Sequence, residues 1–327
     1  MAKKTNYDKK LLWACEHSLK TVKKYIKRKV EINSPLSSNG MTPVFVASMK
    51  GRVNTVRVLI EAGANVNSRT ALSETPLHVA SENGHLQVVQ ILLLNGAYPN
   101  WKTNNSNETP LSLAASEGHS EIVNALIDYG SEMNIINKNF HTPLFIASQE
   151  GYLQIVESLC KAGAAIHITD RELNSPLHVA SKNGHLEVIQ MLLNYNADVF
   201  STNTIQSTAV LMASSNDHWK IVELLIKHGS DIEQANMNNH TPYSIAVKNK
   251  NTMTMDILKR EFNWRRRRIL LLMRPHNNHQ QQQQKQQQAG EGEYVQQVEN
   301  PPTLLGQLLM STTLEGKDIR KRIGQYI

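Results

Sequence analysis

The sequence predicts an all-α solenoid: stacked helix-turn-helix units joined by short hairpin loops. Three observations predict it. Thr-Pro pairs recur at Thr42-Pro43, Thr75-Pro76, Thr109-Pro110, Thr142-Pro143 and Thr241-Pro242, with Ser175-Pro176 and Thr208-Ala209 in the two remaining slots, at spacings of 33 or 34 residues. Each pair opens two successive apolar stretches at helical spacing. A glycine closes most of the second stretches. A unit of this length cannot bury its own apolar face, and a stack of such units can.

The unit from Thr75 to Asn100 justifies each element in order. Thr75 supplies an N-cap oxygen, and Pro76 occupies the first helical position, where its missing N–H leaves nothing unpaired. Leu77, Val79 and Ala80 form the apolar side of a short first helix, which Asn83-Gly84 ends. Leu86, Val88, Val89, Leu92 and Leu93 give the spacing of a second helix, closed by Gly96 from the left-handed region. Residues 97–107 are polar and suit a hairpin. Ala80, Ala114, Ala147, Ala180, Ala213 and Ala246 share one slot, where helices of adjacent units come closest.

The ends depart from the pattern. Leu11, Trp13, Ala14, Val22 and Ile26 precede Val44, Val46, Ala47, Thr55 and Leu59 by 33 residues, without a Thr-Pro pair. Residues 1–40 therefore read as a degenerate capping unit and 41–262 as seven repeats. The last of these is degraded at Asn249–Asn251. The unit 208–233 is expected to be looser, because Asn216-Asp217-His218 replaces its glycine. Residues 263–302, first basic and then Gln-rich, read as a disordered linker. Residues 303–327 read as a short helical docking segment, too small for its own core.

The Thr-Pro-Leu-His strings at 75–78 and 175–178, the period and the closing glycine resemble the ankyrin repeat over residues 41–258. Phe45, Ser112, Phe145, Leu211 and Ser244 depart from the pattern in or next to the histidine slot. The resemblance implies that His78 and His178 bond to loop backbone. It implies a protein partner bound on the hairpin loops and concave face. It also places Asn67, Asn100 and Asn134 at a hairpin position that is hydroxylated in some members; asparagine suits a tight turn on its own account.

Composition bounds the function. The 327 residues are 40% hydrophobic and 19% charged, with a net charge of +7. Residues 1–32 carry +7, residues 33–258 carry −6 and residues 259–327 carry +6. A nucleic-acid footprint over the array is thereby disfavoured and survives only at the ends. Two cysteines exclude a disulfide-built scaffold. The apolar run Ile269–Met273 is far short of the ~20 residues of a spanning helix. The opening MAKKTNYDKK carries no stretch of secretory-signal type. The expectation is a cytoplasmic protein, with nuclear entry as an alternative.

Thirteen histidines raise the question of metal or catalysis. His78 and His178 share one repeat slot and His85, His119 and His185 another, one per unit in a row, so they do not converge; His276 and His279 flank two asparagines in the polar tail. CxxC, HExxH, GxSxG and phosphate-loop motifs are absent from the sequence. No enzyme, no cofactor, no metal and no small-molecule substrate are expected. Cys160 occupies a buried apolar slot and reads as a small hydrophobe.

Binding remains. Arg69, Trp101, Lys102, Lys138, Phe140, Arg171 and Phe200 fall in or beside the hairpins, where the scaffold does not require them. Trp101 is read either as an interface anchor or as an indole folded over its own hairpin. The basic cluster Arg265, Arg266, Arg267 and Arg268 has several readings: solvation of the array's end, an import signal, contact with an anionic membrane, or nucleic-acid binding. Lys23, Lys24, Lys27, Arg28 and Lys29 form a second cluster, mutually repulsive at i,i+4. The leading reading is a noncatalytic interaction scaffold. The alternative is a substrate adaptor of a ubiquitin-ligase-type assembly, because PPTLLGQLLMSTTLEGKDIRKRIGQYI resembles the helical box that follows such arrays. Leu308 stands where that box carries cysteine.

Overall fold

The Thr-Pro signal becomes a helix start at every predicted slot. In the computed structural model, which describes residues 2–35 and 37–272, sixteen helices run in eight pairs among the described residues. They are α1 (Ala2–His17) with α2 (Leu19–Lys27), α3 (Pro43–Met49) with α4 (Val53–Glu61), α5 (Pro76–Glu82) with α6 (Leu86–Leu94), and α7 (Pro110–Ser116) with α8 (Ser120–Asp128). Then follow α9 (Pro143–Glu150) with α10 (Leu153–Lys161), α11 (Pro176–Asn183) with α12 (Leu186–Asn194), α13 (Ala209–Ser215) with α14 (Trp219–Lys227), and α15 (Pro242–Asn249) with α16 (Thr252–Leu272). Each first helix packs on the first helix of the next unit, from α1 through to α15. The second helices α2 to α14 form a parallel row behind them. Residues Met1–Arg268 form one unit and Ile269–Ile327 another, described only at Ile269–Leu272, the last turn of α16.

The core is a column with one repeat per layer. Ala47, Ala80, Ala114, Ala147, Ala180, Ala213 and Ala246 are all fully buried, as the small-residue slot requires. Leu59, Leu92, Leu126, Leu159, Leu192 and Leu225 form a second fully buried row on the outer helices. Cys15 and Cys160 are buried free thiols, and burial pushes them up to about 12 and about 11 respectively. Neither is a thiolate near neutral pH.

Caps set each inner helix. Thr109 Oγ1 accepts from Ser112 N at 3.1 Å and Thr142 Oγ1 from Phe145 N at 3.1 Å. Where the fourth residue is histidine or serine, it bonds back to the cap. His78 Nδ1 accepts from Thr75 N at 3.1 Å, and Ser112 Oγ accepts from Thr109 N at 2.8 Å. Serine in the histidine slot thus keeps half of the histidine's work. Phe45, Phe145 and Leu211 keep only its volume, and all three are buried.

Two sequence expectations change. The helix α16 continues through the arginine run to Leu272, so residues 263–272 are not linker. No proline or glycine interrupts 252–272, arginine and leucine favour helix, and Arg265 pairs with Glu261 one turn back at 2.7 Å. The turn of the unit 208–233, expected to suffer from its missing glycine, is bonded without it. Asp217 takes the left-handed conformation of the missing glycine at φ 58°, and Thr254 Oγ1 donates to Asp217 Oδ1 at 2.8 Å. The Gln-rich stretch and residues 303–327 lie outside the described residues.

Candidate functional site

A ladder of side chains ties most inter-helix turns to the one before. His85 Nε2 bonds the carbonyl of Met49 (3.1 Å), His119 that of Glu82 (3.0 Å), His185 that of Gln149 (2.9 Å) and His218 that of Lys182 (3.0 Å). Arg52 Nε makes the same bond to Glu16 O at 2.7 Å, and Asn251 Nδ2 bonds Ser214 O at 2.8 Å. The ring of each histidine lies over the glycine of the preceding unit. A Cβ at Gly151 would stand 2.5 Å from His185 Nδ1. The histidines after the glycines are therefore interface struts, a role that their spacing alone did not disclose. Where Asp217 replaces glycine, Asn251 replaces the ring that would have met it.

The hairpins are tied in the same way. His78 Nε2 bonds the carbonyls of Trp101 (3.0 Å) and Glu108 (3.2 Å), and His178 Nε2 that of Ser207 (3.2 Å). Burial pushes His78 down to about 4 and lowers His178 as well, so both rings are neutral. Thr103, Asn137, Asp170, Asn203 and Asn236 occupy one slot and fold each tip over their own side chains. Asn137 Oδ1, for example, accepts from Asn139 N and His141 N. Backbone bonds then join neighbouring tips, among them Lys138 N to Ser106 O (2.8 Å), Thr204 N to Glu172 O (2.8 Å) and Met237 N to Ile205 O (3.0 Å). Asn67 spends both ends of its amide on the next unit, donating to Gly96 O and accepting from Tyr98 N. Asn100 and Asn134 accept from Glu132 N and Ala165 N. These asparagines are bridges between units.

The structure sorts the candidate residues. Arg69 stacks on Trp101, its Cζ 4.3 Å from the ring centroid, and Tyr98 packs 6.2 Å away on a tilt. Trp101 is partly buried, and one face is covered from the preceding hairpin. Lys102 is exposed on the same hairpin. Lys138 Nζ donates to Asn104 O at 2.8 Å. Arg171 donates to Lys138 O and covers Phe140, its Cζ 5.2 Å from the centroid. Phe140 is 44% exposed and sits at φ 67°, a conformation bulky side chains avoid. Phe200 follows α12 at a different slot and stands apart, 59% exposed. The arginine run does not make one patch. Arg265 is held by Glu261, Arg268 lies over Trp264 at 5.2 Å, and Arg266 and Arg267 are exposed.

A groove of about 470 Å³ runs between the hairpins and the first helices α9, α11, α13 and α15. Its floor includes Phe145, Val179, Leu211, Met212 and Ile245, and its hairpin wall Asp170, Glu172, Asn203, Ile205 and His240. His141 stacks on Phe145 at 4.3 Å at the same end, and burial lowers its pKa. Along the tips beside the groove, Phe140, Leu173, Ile205 and Met237 are all exposed apolar residues. Leu173, Ile205 and Met237 were missed from sequence. Each is a single apolar residue in a polar loop, and they fall in three neighbouring slots of the repeat: Phe140 and Leu173 in one, Ile205 one position earlier and Met237 two positions earlier. Among the described residues no group of three His, Cys, Asp or Glu could hold a metal ion.

A family model that describes three ankyrin repeats matches residues 11–103, 92–170, 111–203 and 177–265. The chain belongs to the ankyrin-repeat family. The array is similar to the crystal structure of the human ASB11 ankyrin repeat domain, with 25% sequence identity and a TM-score of 0.61. That similarity covers 67% of this chain and 98% of the other. In all, 608 solved chains match, so likeness of fold singles out no one function. No curated protein matches the sequence. Ankyrin arrays are in general protein-interaction modules and typically non-catalytic.

Proposed function

We propose that the chain is a noncatalytic protein-binding scaffold, and that its partner lies in the groove between the hairpins and helices α9 to α15. The observation that carries this is the row Phe140, Leu173, Ile205 and Met237 standing exposed beside that groove. Exposed apolar side chains gathered at successive tips, rimmed by polar ones, mark interaction surfaces. Phe140 and Leu173 also hold left-handed backbone, at φ 67° and 60°, which glycine or asparagine would hold with less strain. Arg171, stacked on Phe140, presents a donor fork at the same rim. Arg69, Trp101 and Lys102 extend the surface toward the N-terminal hairpins.

The test is quantitative capture from native extract with the full-length protein, with F140S/L173N/I205S, and with Q87A/Q90A on the outer face of α6. The reading expects a partner retained by wild type and the outer variant and lost by the tip variant. Equal retention by all three contradicts it. The adaptor reading rests on the resemblance in residues 303–327, outside the described residues. A partner lost on deleting 303–327, and indifferent to the tips, would favour it. A cytoplasmic setting, with two unpaired buried thiols, belongs to the same proposal.

A further inference from the structure

The outer helices share a slot pattern that exposes three positions per unit, at i, i+3 and i+7. At those positions α4 carries Asn54, Arg57 and Glu61, α6 carries Gln87, Gln90 and Leu94, and α8 carries Glu121, Asn124 and Asp128. Further along, α10 and α14 balance lysine with glutamate, pairing Lys161 with Glu157 and Lys227 with Glu223. Helix α2 is unlike all of these. It carries Lys20, Lys23 and Lys27 at the same positions, with Lys24 beside them and no acidic residue. At 3.6 residues per turn the four lysines fall within an arc of about 100° and a length of about 10 Å. Val22 and Tyr25 are buried on the opposite side, and all four lysines are exposed. Among the described residues none of the four is in an ion pair. Lys20–Lys24 and Lys23–Lys27 repel at i,i+4, and the first-turn lysine Lys20 also opposes the helix dipole. A helix that only needed solvating would interleave acids, as α10 and α14 do.

We propose that this lysine face docks on an anionic lipid surface. The choice between polyanions follows from where the basic stripe ends. A nucleic acid carries phosphates at fixed spacing, and lying on the outer helices it would pass from α2 to α4, which is neutral overall, to α6, which is uncharged, and then to the acidic α8. A fluid bilayer brings its anionic headgroups to the lysines, so a single helix face suffices. This surface is the outer side of the first unit, separate from the inner groove, and the inference stands without the reading of that groove. It also differs from the membrane contact expected of Arg265–Arg268, whose side chains are partly engaged within the array.

The experiment is co-sedimentation of the full-length protein with phosphatidylcholine vesicles, with and without about 30% phosphatidylserine. The variants are K20Q/K23Q/K24Q/K27Q and R266Q/R267Q. Wild type is expected to bind only the anionic vesicles, more weakly as salt rises. Each lysine near such a surface is worth about fivefold, so the lysine variant should lose several-hundred-fold, roughly, and the arginine variant far less. Thermal melting of the lysine variant should match or exceed wild type, since repulsion is removed. Three results overturn the proposal: equal binding to neutral vesicles, unchanged binding by a folded lysine variant, or a greater loss in the arginine variant. Tighter binding to a duplex DNA oligonucleotide than to vesicles, lost with the same lysines, would assign the face to nucleic acid and overturn it as well.

Discussion

His78 joins three backbone segments through one neutral ring: the cap of its own helix and the carbonyls of Trp101 and Glu108. Protonation would turn the accepting Nδ1 into a donor facing Thr75 N–H. The pKa is lowered from 6.5 to about 4 in the fold. Between those values the unfolded chain binds the proton and the folded chain does not. Stability is therefore full above pH 6.5 and falls as pH drops toward 4, by on the order of 3 kcal/mol. His178 shifts in the same direction. Urea unfolding from pH 7 to 4 checks this, and H78S, which keeps a cap oxygen, should flatten the dependence. Glycines give a second residue-scale prediction. Gly163 and Gly151 both hold left-handed backbone, but a Cβ at Gly163 meets nothing, whereas at Gly151 it meets His185. Gly163→Ala should cost about 1 kcal/mol, and Gly151→Ala clearly more. Adding His185→Asn should recover the excess, because the chain already uses that pairing at Asp217 and Asn251. No recovery in the double variant would show that the ring is not the obstacle.

At the scale of elements, the sequence was most legible where the signal is local. Thr75-Pro76 fixes a helix start within four residues, and Leu92 with its equivalents fixes the buried side of the second helix. The arginine run was misread because a block of like charge resembles a solvated tail, while the pair Glu261–Arg265 and unbroken helix formers carry α16 on to Leu272. The turn after α13 was only partly legible for a related reason. Losing a glycine looks like a defect until Thr254 and Asn251, some 35 residues on, are seen to bond the altered turn. Asn251→Ala should therefore cost about 1–2 kcal/mol and raise amide exchange selectively in α15 and α16. Uniform exchange along the array would contradict it. Leu126→Ala, in a fully buried slot, should cost about 2–5 kcal/mol by denaturant titration.

For the whole molecule, stability is approximately a sum of unit and nearest-neighbour terms. The ladder of His85, His119, His185 and His218 is one physical form of those neighbour terms. The candidate surface was only half legible. Phe140 and Arg171 stood out as side chains the scaffold does not need, and the structure stacks one on the other. Trp101 stood out equally, yet Arg69 covers it, because stacking across adjacent hairpins cannot be seen in either hairpin alone. Leu173, Ile205 and Met237 were invisible until the tips were joined backbone to backbone. The central claim is that the inner groove holds the partner. It is tested most directly by amide exchange on the full-length protein, alone and bound to its captured partner. The account predicts slowed exchange at residues 138–142, 171–175, 204–208 and 237–240, with the outer helices α10 and α12 unchanged. Slowed exchange on the outer helices, with the hairpin tips unaffected, would contradict it.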